Sequence, residues 1–526
     1  MQTTPTSPKT DAASGRIAPV LLLAASALWC VYWFLHTRGY WEDDAWIHLE
    51  FARSVAQGLG FAFNGRVVAG DTAPLWVLLL AAIHTLIADW LIADKLLAVL
   101  GAVFGLSGIY AFAQRMAQSL RAERTARIFP AAILLLVVAN PYTCYWIFSG
   151  MEPVACAGLA CWAVLAATWV RPTKFSFLVA CLLAGLGPLL RPEMVFLAAF
   201  LAPPLFGQWR RLHLSPTSKA VFALLGLLLL AGPLLAWSLY SLHAFGHLLP
   251  NTNAAKRAAP NDSVLRRLLV IYLTALPAVF AGAIAGFASL ALHFSAAMRS
   301  LRNAIVSAVT DGPLLPDANA TSQRMLPPAA WIFILWALTS TLFYLANHTY
   351  VQTRYILITA PGLTAVICAQ AFGLWPRLAR WLYSAALAAA LTASIVIVIP
   401  FIRNKAANCT ATEQLALFMR DHLPPHAPVA LYSIGQITFQ SQHPIVDTGG
   451  ITRPGAIPYL NAPLESMAGW AQSEGAQYYI EAASPLPGSV PVFTVSAPYI
   501  GWTIRPSKYG DTTPISIWKL PARGPQ

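Results

Sequence analysis

The sequence predicts an all-α polytopic membrane domain followed by a small α/β domain, and three observations carry that prediction. Hydrophobic residues fill 57% of the 526 positions and charged residues only 10%, against about 25% charged in an ordinary soluble domain. The apolar residues fall into runs of about the 20 residues that a spanning helix needs. Beyond Pro400 these runs stop, and short strand-like segments such as VALYS and PIVD alternate with helical ones under Pro and Gly punctuation. With only 32 Gly and 7 Cys, collagen-like and disulfide-scaffold classes are excluded. A net charge of +13 would suggest a nucleic-acid partner in a soluble domain. Here the cations lie between apolar runs, so the partner is the lipid bilayer and no nucleic acid is expected.

Eleven runs fall near 18–36, 94–114, 129–147, 153–170, 175–190, 193–207, 220–243, 268–293, 328–346, 355–374 and 382–400. A twelfth apolar segment, 74–92, is interrupted by His84 and Asp89, and its status sets the orientation of everything after it. If it lies at the outer surface without crossing, sixteen Lys and Arg residues fall inside, against six in the short outer loops after the third span. If it crosses, the bias inverts for all later loops, contrary to the positive-inside rule. The expected layout is a cytoplasmic tail over 1–17, an uncleaved anchor as first span, and a membrane domain over 18–403 with an outer loop at 37–93. An extracytoplasmic α/β domain over 404–526 follows, and 74–92 is a re-entrant or interfacial helix. Cys409 is the only cysteine of that last domain, so no disulfide forms within it. The cytoplasmic loop 296–326 contains Pro, Asp and Ser and is expected to be partly mobile.

Ionisable groups near a bilayer are costly and tend to be functional, and on this layout they gather on the outer face. The loop 37–93 opens with Glu42, Asp43 and Asp44 ahead of a helix over 44–57, in which Ile47, Phe51 and Val55 share one face. Gly58 and Gly60 end it, and Phe63-Asn64-Gly65-Arg66 reads as a tight turn. The amphipathic pattern places this helix along the membrane surface. The acids read either as helix caps or as a general base reaching an incoming hydroxyl. His48 shares a face with Asp44 and reads as structural before catalytic. Glu152 in SGMEP must stay near the membrane surface and otherwise serves as a helix N-terminal charge. Arg191 and Glu193 form a local pair at a helix break or belong to the site. Asn251, Asn253 and Lys256 lie in LPNTNAAK, and Arg354 opens a later span. Lys256 and Arg354 are interface anchors by default, but with Arg191 they supply cations suited to a phosphate.

Taken together, DDAWIHLEFARSVAQGLGFAFNG with TAPLW downstream, SGMEP, RPE, LPNTNAAK, TRYILITAP and IGQITFQSQHPIVDTGGITRP resemble the GT-C superfamily of polyprenyl-phosphate-sugar-dependent glycosyltransferases. The likeness is greatest to the branch of bacterial cell-wall arabinofuranosyltransferases. The blocks run from 43 to 454 in the family's order, and the first and fourth are the most specific. The resemblance implies a catalytic Asp at Asp43 or Asp44, a second acid at Glu152, and inversion at the anomeric carbon. It implies a polyprenyl-phosphate sugar donor, a glycan or lipid acceptor, and residence in the bacterial inner membrane. Trp46 stands where the family usually has Tyr or Phe, the family's version of NTNAAK is richer in aromatics, and Gly70-Asp71-Thr72-Ala73 replaces a common Gly-Tyr-Thr-Asn. These departures leave the sugar open. No cofactor is required by the pattern; relatives vary in using a divalent metal, which would sit at Glu152 and the Asp pair, and no zinc-type His/Cys cluster is present. The competing class is a transporter or flippase of lipid-linked glycans. Against it, charges sit at outer helix ends and not at the bilayer midplane between paired halves.

Overall fold

The structure is a computed structural model that describes residues 11–120, 122–169, 171–258, 263–275, 327–498 and 512–522. Expectations for the first ten residues, for the 276–293 part of the eighth run and for the loop 296–326 lie outside these residues. The described chain is mostly helical, with a sheet near its C-terminal end. Among the described residues, five helices are long and apolar enough to cross a membrane. They are α1 (Asp11–Thr37), α4 (Trp90–Ala117), α10 (Pro216–Phe245), α13 (Pro328–Ala346), and the continuous α16 (Pro376–Ala393) and α17 (Ile399–His422). Shorter apolar helices pack among them: α3 (Pro74–His84), α7 (Pro153–Ala167), α8 (Lys174–Leu190) and α15 (Ala360–Leu374). Helix α9 (Met194–Arg211) packs on α8 and α13, and α12 (Val264–Ala275) packs on α13.

The ends of these helices follow from short-range chemistry. Helix α3 has 11 residues, about 16 Å of rise against a hydrocarbon core of about 30 Å. Asp89, one of the two residues that interrupt the apolar run 74–92, starts the next helix: its Oδ1 accepts the amides of Leu91 and Ile92 at 2.8 and 2.9 Å. The run 129–147 is likewise split, into α5 (Glu123–Ala139) and α6 (Pro141–Trp146). Asn140 accepts the Tyr142 amide at 2.9 Å, and Pro141 occupies the first helical position.

Two departures from expectation bear on the site. Helix α2 (Asp43–Ala56) starts at the expected place but is enclosed by protein on more than the one apolar face expected; nine of its 14 residues are buried. It is held between α3 and a helix of the terminal region, α18 (Ile434–Ser441). Its polar side chains are met from within the protein, which offsets the cost of burying them: Arg53 pairs with Glu50, and the Asn64 amide donates to Glu50 at 3.2 Å. Asn64 and Gly65, with φ of 51° and 75°, make the expected turn between β1 (Ala62–Phe63) and β2 (Arg66–Val67). The second departure concerns the boundary at 404, which falls inside α17. Helical structure runs unbroken from Pro376 to His422, so the last apolar span and the stretch ATEQLALFMRDHL are one rod.

The sheet beyond it has the order β4-β3-β5-β7-β6, from β3 (Val429–Leu431), β4 (Ile445–Asp447), β5 (Tyr478–Glu481), β6 (Val490–Pro498) and β7 (Thr512–Lys519). Strands β4, β3 and β5 run parallel, pairing Val429 with Ile445 and with Tyr478, while β7 and β6 complete it antiparallel. Helix α18 connects β3 to β4, and α19 (Leu464–Ser473) precedes β5. This is the α/β pattern read from VALYS and PIVD.

Small residues decide how closely α4 and α7 approach. A Cβ on Gly105 would stand 2.2 Å from the Val154 carbonyl oxygen, and one on Gly158 would stand 2.2 Å from the Gly105 Cα. Such backbone contact is typical of helices packed within a membrane, and it sets the position of Glu152 at the head of α7. Replacing Gly158 by Leu is expected to cost at least about 3 kcal/mol, the upper range for overpacking, read as a lower thermal midpoint in detergent. Gly39→Ala, where nothing lies within 4 Å of the added carbon, is expected to leave the midpoint nearly unchanged.

Candidate active site

The acids at the head of α2 do not cap their own helix. Glu42 occupies the N-cap position but makes no side-chain cap bond. Its carboxylate accepts from Tyr40 and Tyr145 and lies 3.5 Å from Lys405 Nζ. Asp43 reaches into the terminal region, where Oδ2 accepts the Gly435 amide at 3.3 Å and Oδ1 the Gln436 amide at 3.2 Å. Asp44 pairs with the buried guanidinium of Arg354, which lies in α14 (Thr353–Leu357). Burial, reinforced by the Asp44 charge, pushes the Asp43 carboxyl up to about 7 despite the two amides. Burial alone would raise Asp44 too, but Arg354 and Lys256 outweigh it and hold that carboxyl below its ordinary value. Adjacent carboxylates thus differ in basicity because Arg354 and Lys256 offset burial at Asp44, whereas burial and the Asp44 charge prevail at Asp43.

A second buried network lies beside them. His48 Nδ1 is 2.5 Å from Asp71 Oδ2, and its Nε2 is 3.5 Å from Glu152 Oε2. Glu152 accepts from Arg191 at 3.1 Å, Arg191 donates to Glu193 at 2.8 Å, and Glu193 also accepts from the Tyr344 hydroxyl at 2.6 Å. Neither Glu152 nor Glu193 caps the helix it precedes. Burial would lower His48, yet Asp71 and Glu152 carry it up to about 10, so it stays an imidazolium at neutral pH. Glu152, against its own burial, is held down to about 2 by His48 and Arg191.

The charged groups meet at one cavity of about 300 Å³. Asp43, Asp44, His48 and Asp71 line one part of it. Lys256 and Thr252 of α11 (Asn251–Ala258) and Arg354 line another, and Tyr432, Ile434, Ile451 and Leu460 of the terminal region a third. Of the residues singled out from the sequence, Asp43, Asp44, His48, Lys256 and Arg354 face this space. Glu152, Arg191 and Glu193 stand behind it as a neutralising cluster, with Arg191 4.6 Å from the Tyr355 ring centroid. Arg191, singled out with Lys256 and Arg354 as a phosphate cation, is not among the residues lining this space, and its guanidinium is shared by two carboxylates. Asn251 and Asn253 are not among the residues lining the cavity: the Asn251 backbone amide donates to the Ala69 carbonyl at 2.9 Å, and Asn253 Oδ1 accepts from Asn347 at 3.0 Å. Their neighbour Thr252 faces the cavity instead.

Several participants escaped the sequence reading. Asp71 is the principal partner of His48, and its place in Gly70-Asp71-Thr72-Ala73 was the available signal. Tyr355 follows Arg354 directly and underlies Lys256, whose Nζ is 5.1 Å from the ring centroid. Lys95 of α4 donates to the carbonyls of Thr37, Tyr40 and Phe148 at 3.1, 2.6 and 2.6 Å, and Asp94 accepts from Trp41 Nε1 at 2.9 Å. That pair ties the segment entering α2 to the segment preceding Glu152, and it was read from the sequence only as part of a span. Among the described residues no group of three or more His, Cys, Asp or Glu side chains is arranged to hold a metal ion; Glu152 and His48 are committed to ion pairs.

The family described as Domain of unknown function (DUF8728) matches residues 401–513. No curated protein matches the chain. Among solved structures, ArnT from Cupriavidus metallidurans bound to undecaprenyl phosphate aligns over 96% of this chain and 99% of its own, at 14% identity and a TM-score of 0.53. The apo state of the same protein aligns with the same coverage and identity at 0.50. The Archaeoglobus fulgidus oligosaccharyltransferase aligns over 90% of this chain and 70% of its own, at 12% identity and 0.44. At such identity the likeness to ArnT is one of architecture: over nearly its whole length this chain shares the fold of that protein.

Proposed function

We propose that the chain is an inverting membrane glycosyltransferase that moves a sugar from a polyprenyl-phosphate donor to a hydroxyl of a cell-envelope glycan or lipid. The observation that carries this reading is the convergence of Asp43 and Asp44 with Lys256 and Arg354, 310 residues from Asp44 in the case of Arg354, at one cavity. That pairing of a base with phosphate-binding cations suits a displacement with an anionic leaving group. ArnT, which shares the fold, has been seen with undecaprenyl phosphate, and the same carrier class is assigned here. The excess of cations in the loops read as cytoplasmic supports eleven spans in the bacterial inner membrane, the N-terminus inside and the cavity at the outer rim. The first-loop motif makes arabinofuranose the donor sugar to test first.

In this reading Asp43 is the base. Its basicity near neutrality suits proton abstraction at working pH, while Asp44 is occupied in holding Arg354. Asp43 takes the proton of the acceptor hydroxyl as that oxygen attacks the anomeric carbon opposite the phosphate. The bond from that carbon to the phosphate oxygen breaks, and polyprenyl phosphate leaves with its charge met by Lys256 and Arg354. His48, Glu152 and Arg191 keep the acids and Arg354 in place without touching the reacting atoms.

The direct test supplies membranes containing the protein with a panel of radiolabelled polyprenyl-phosphate sugars, followed by linkage determination. Transfer with release of polyprenyl phosphate supports the reading; binding of donors without release from any of them overturns it. Asp43→Asn is expected to lower transfer by about 10²–10⁴-fold with undecaprenyl phosphate binding retained. A variant at wild-type rate would move the base elsewhere. Lys256→Ala is expected to weaken undecaprenyl phosphate binding roughly tenfold or more, the loss of one charge-assisted hydrogen bond, seen in titration of the purified protein. The pH profile carries a further expectation. A base must be deprotonated to act, so kcat/KM should rise with pH through an apparent value of about 7. Because Asp44 raises Asp43, Asp44→Asn should move that limb to lower pH.

A further inference from the structure

We infer that the terminal region is a working part of this active site, and that Gly435 is the positioning residue that lets the first amides of α18 reach Asp43. The inference rests on the transferase reading above and adds to it a role for residues beyond the last span.

The geometry is specific. A Cβ on Gly435 would stand 2.1 Å from the Asp43 carbonyl oxygen and 2.9 Å from its Oδ1, so only glycine allows this approach. The contact places the start of α18 over the head of α2, where amides at a helix N-terminus favour an anion. Three further ties hold the segment 43–67 against the terminal region, the first of them between the two helices. Arg53 donates to the Phe439 carbonyl at 2.9 Å, Asn64 Nδ2 donates to the His443 carbonyl at 2.9 Å, and Asn64 Oδ1 accepts the Ile445 amide at 2.8 Å. On the far side of the cavity, Asn461 donates to the Ala258 carbonyl at 2.7 Å, so the terminal region also grips the helix that carries Lys256. The same region supplies Tyr432, Ile434, Ile451 and Leu460 to the cavity wall. A segment serving only as an appendage has no need to reach both the proposed base and the proposed phosphate cation.

The charges around Asp43 make the contribution of α18 measurable. Asp44 and Glu42 face it from its own segment, Lys405 and Cys409 face it from α17, and Arg354 stands behind Asp44. Helix α18 contributes no ionisable side chain, only the two amides, and both draw the Asp43 carboxyl downward. Removing them leaves burial and the acidic neighbours in place, so the base must become harder to deprotonate.

The full-length protein in proteoliposomes, supplied with whichever polyprenyl-phosphate sugar the wild type uses, is the system for the test. Gly435→Ala is expected to raise the pH limb by about one unit for an amide lost from a charged acceptor. Transfer at pH 7 should then fall about fivefold or more and partly recover at pH 9. Binding of undecaprenyl phosphate should stay near wild type. Combined with Asp43→Asn, the substitution should add no further loss, because both act through one carboxylate. Gly469→Ala in α19, with nothing within 4 Å of the added carbon, should behave as wild type. Where Gly435→Ala does not fold, Gln436→Pro decides: it removes one amide in the first turn of α18, where proline is tolerated. A wild-type limb and rate in the folded variant, or a full additional loss when it is combined with Asp43→Asn, overturns the inference while the transferase reading stands. A wild type that transfers no sugar overturns both.

Discussion

The ion pair between Asp44 and Arg354 is the constraint around which the rest of the site is arranged. A guanidinium that is only 3% exposed must be met by a carboxylate, since an unpaired buried charge costs several kcal/mol. Asp44 meets it, and in doing so pins the head of α2 to α14 across most of the chain. Once Asp44 is held as an anion, its neighbour Asp43 cannot ionise as easily, which is the second reason after burial that Asp43 is the more basic of the two. One contact thus places a cation beside the cavity and separates the two acids in basicity.

The same rule, that buried charges must be balanced locally, explains the layer behind the cavity. Arg191 is shared by Glu152 and Glu193, and His48 bridges Asp71 and Glu152. These groups come from α2, the segment after β2, and the heads of α7 and α9, so each ion pair also fixes one helix end against another. The close α4–α7 contact at Gly105 and Gly158 lets the head of α7, with Glu152, stand where His48 can meet it. Lys95 and Asp94 do the corresponding work from α4. The helical scaffold and the charged site are therefore one construction, because neither buried charges nor bare backbone groups are tolerated in hydrocarbon.

The helical architecture was legible in the residues because it depends on long apolar runs and on local punctuation. The start of α2, the Asn64-Gly65 turn and the strands in VALYS and PIVD all follow from signals a few residues long. Their surroundings did not. The pattern of Ile47, Phe51 and Val55 reads equally well as a face laid on lipid or on protein. The structure supplies protein partners: Phe51 packs on Phe61 and Phe63, and Trp46 of the same helix on Phe439 of α18, whose Gly435 lies 392 residues beyond Asp43. Asn140 split a run that hydropathy alone treats as continuous. The boundary near 404 follows a change in composition, and composition does not end a helix.

By itself the sequence determined that this is a polytopic membrane protein with an α/β terminal region, and which ionisable residues had to be accounted for near helix ends. It did so because hydrophobic run length and charge placement are properties of the chain read in order. Only the tertiary structure decided which of those residues face the cavity and which neutralise one another. Arg191 and Lys256 look alike in sequence, yet one is enclosed between two glutamates and the other lines the cavity. The difference arises because a charged side chain can meet a ligand only where it lines the cavity, and that is settled by distances between segments that no local pattern encodes.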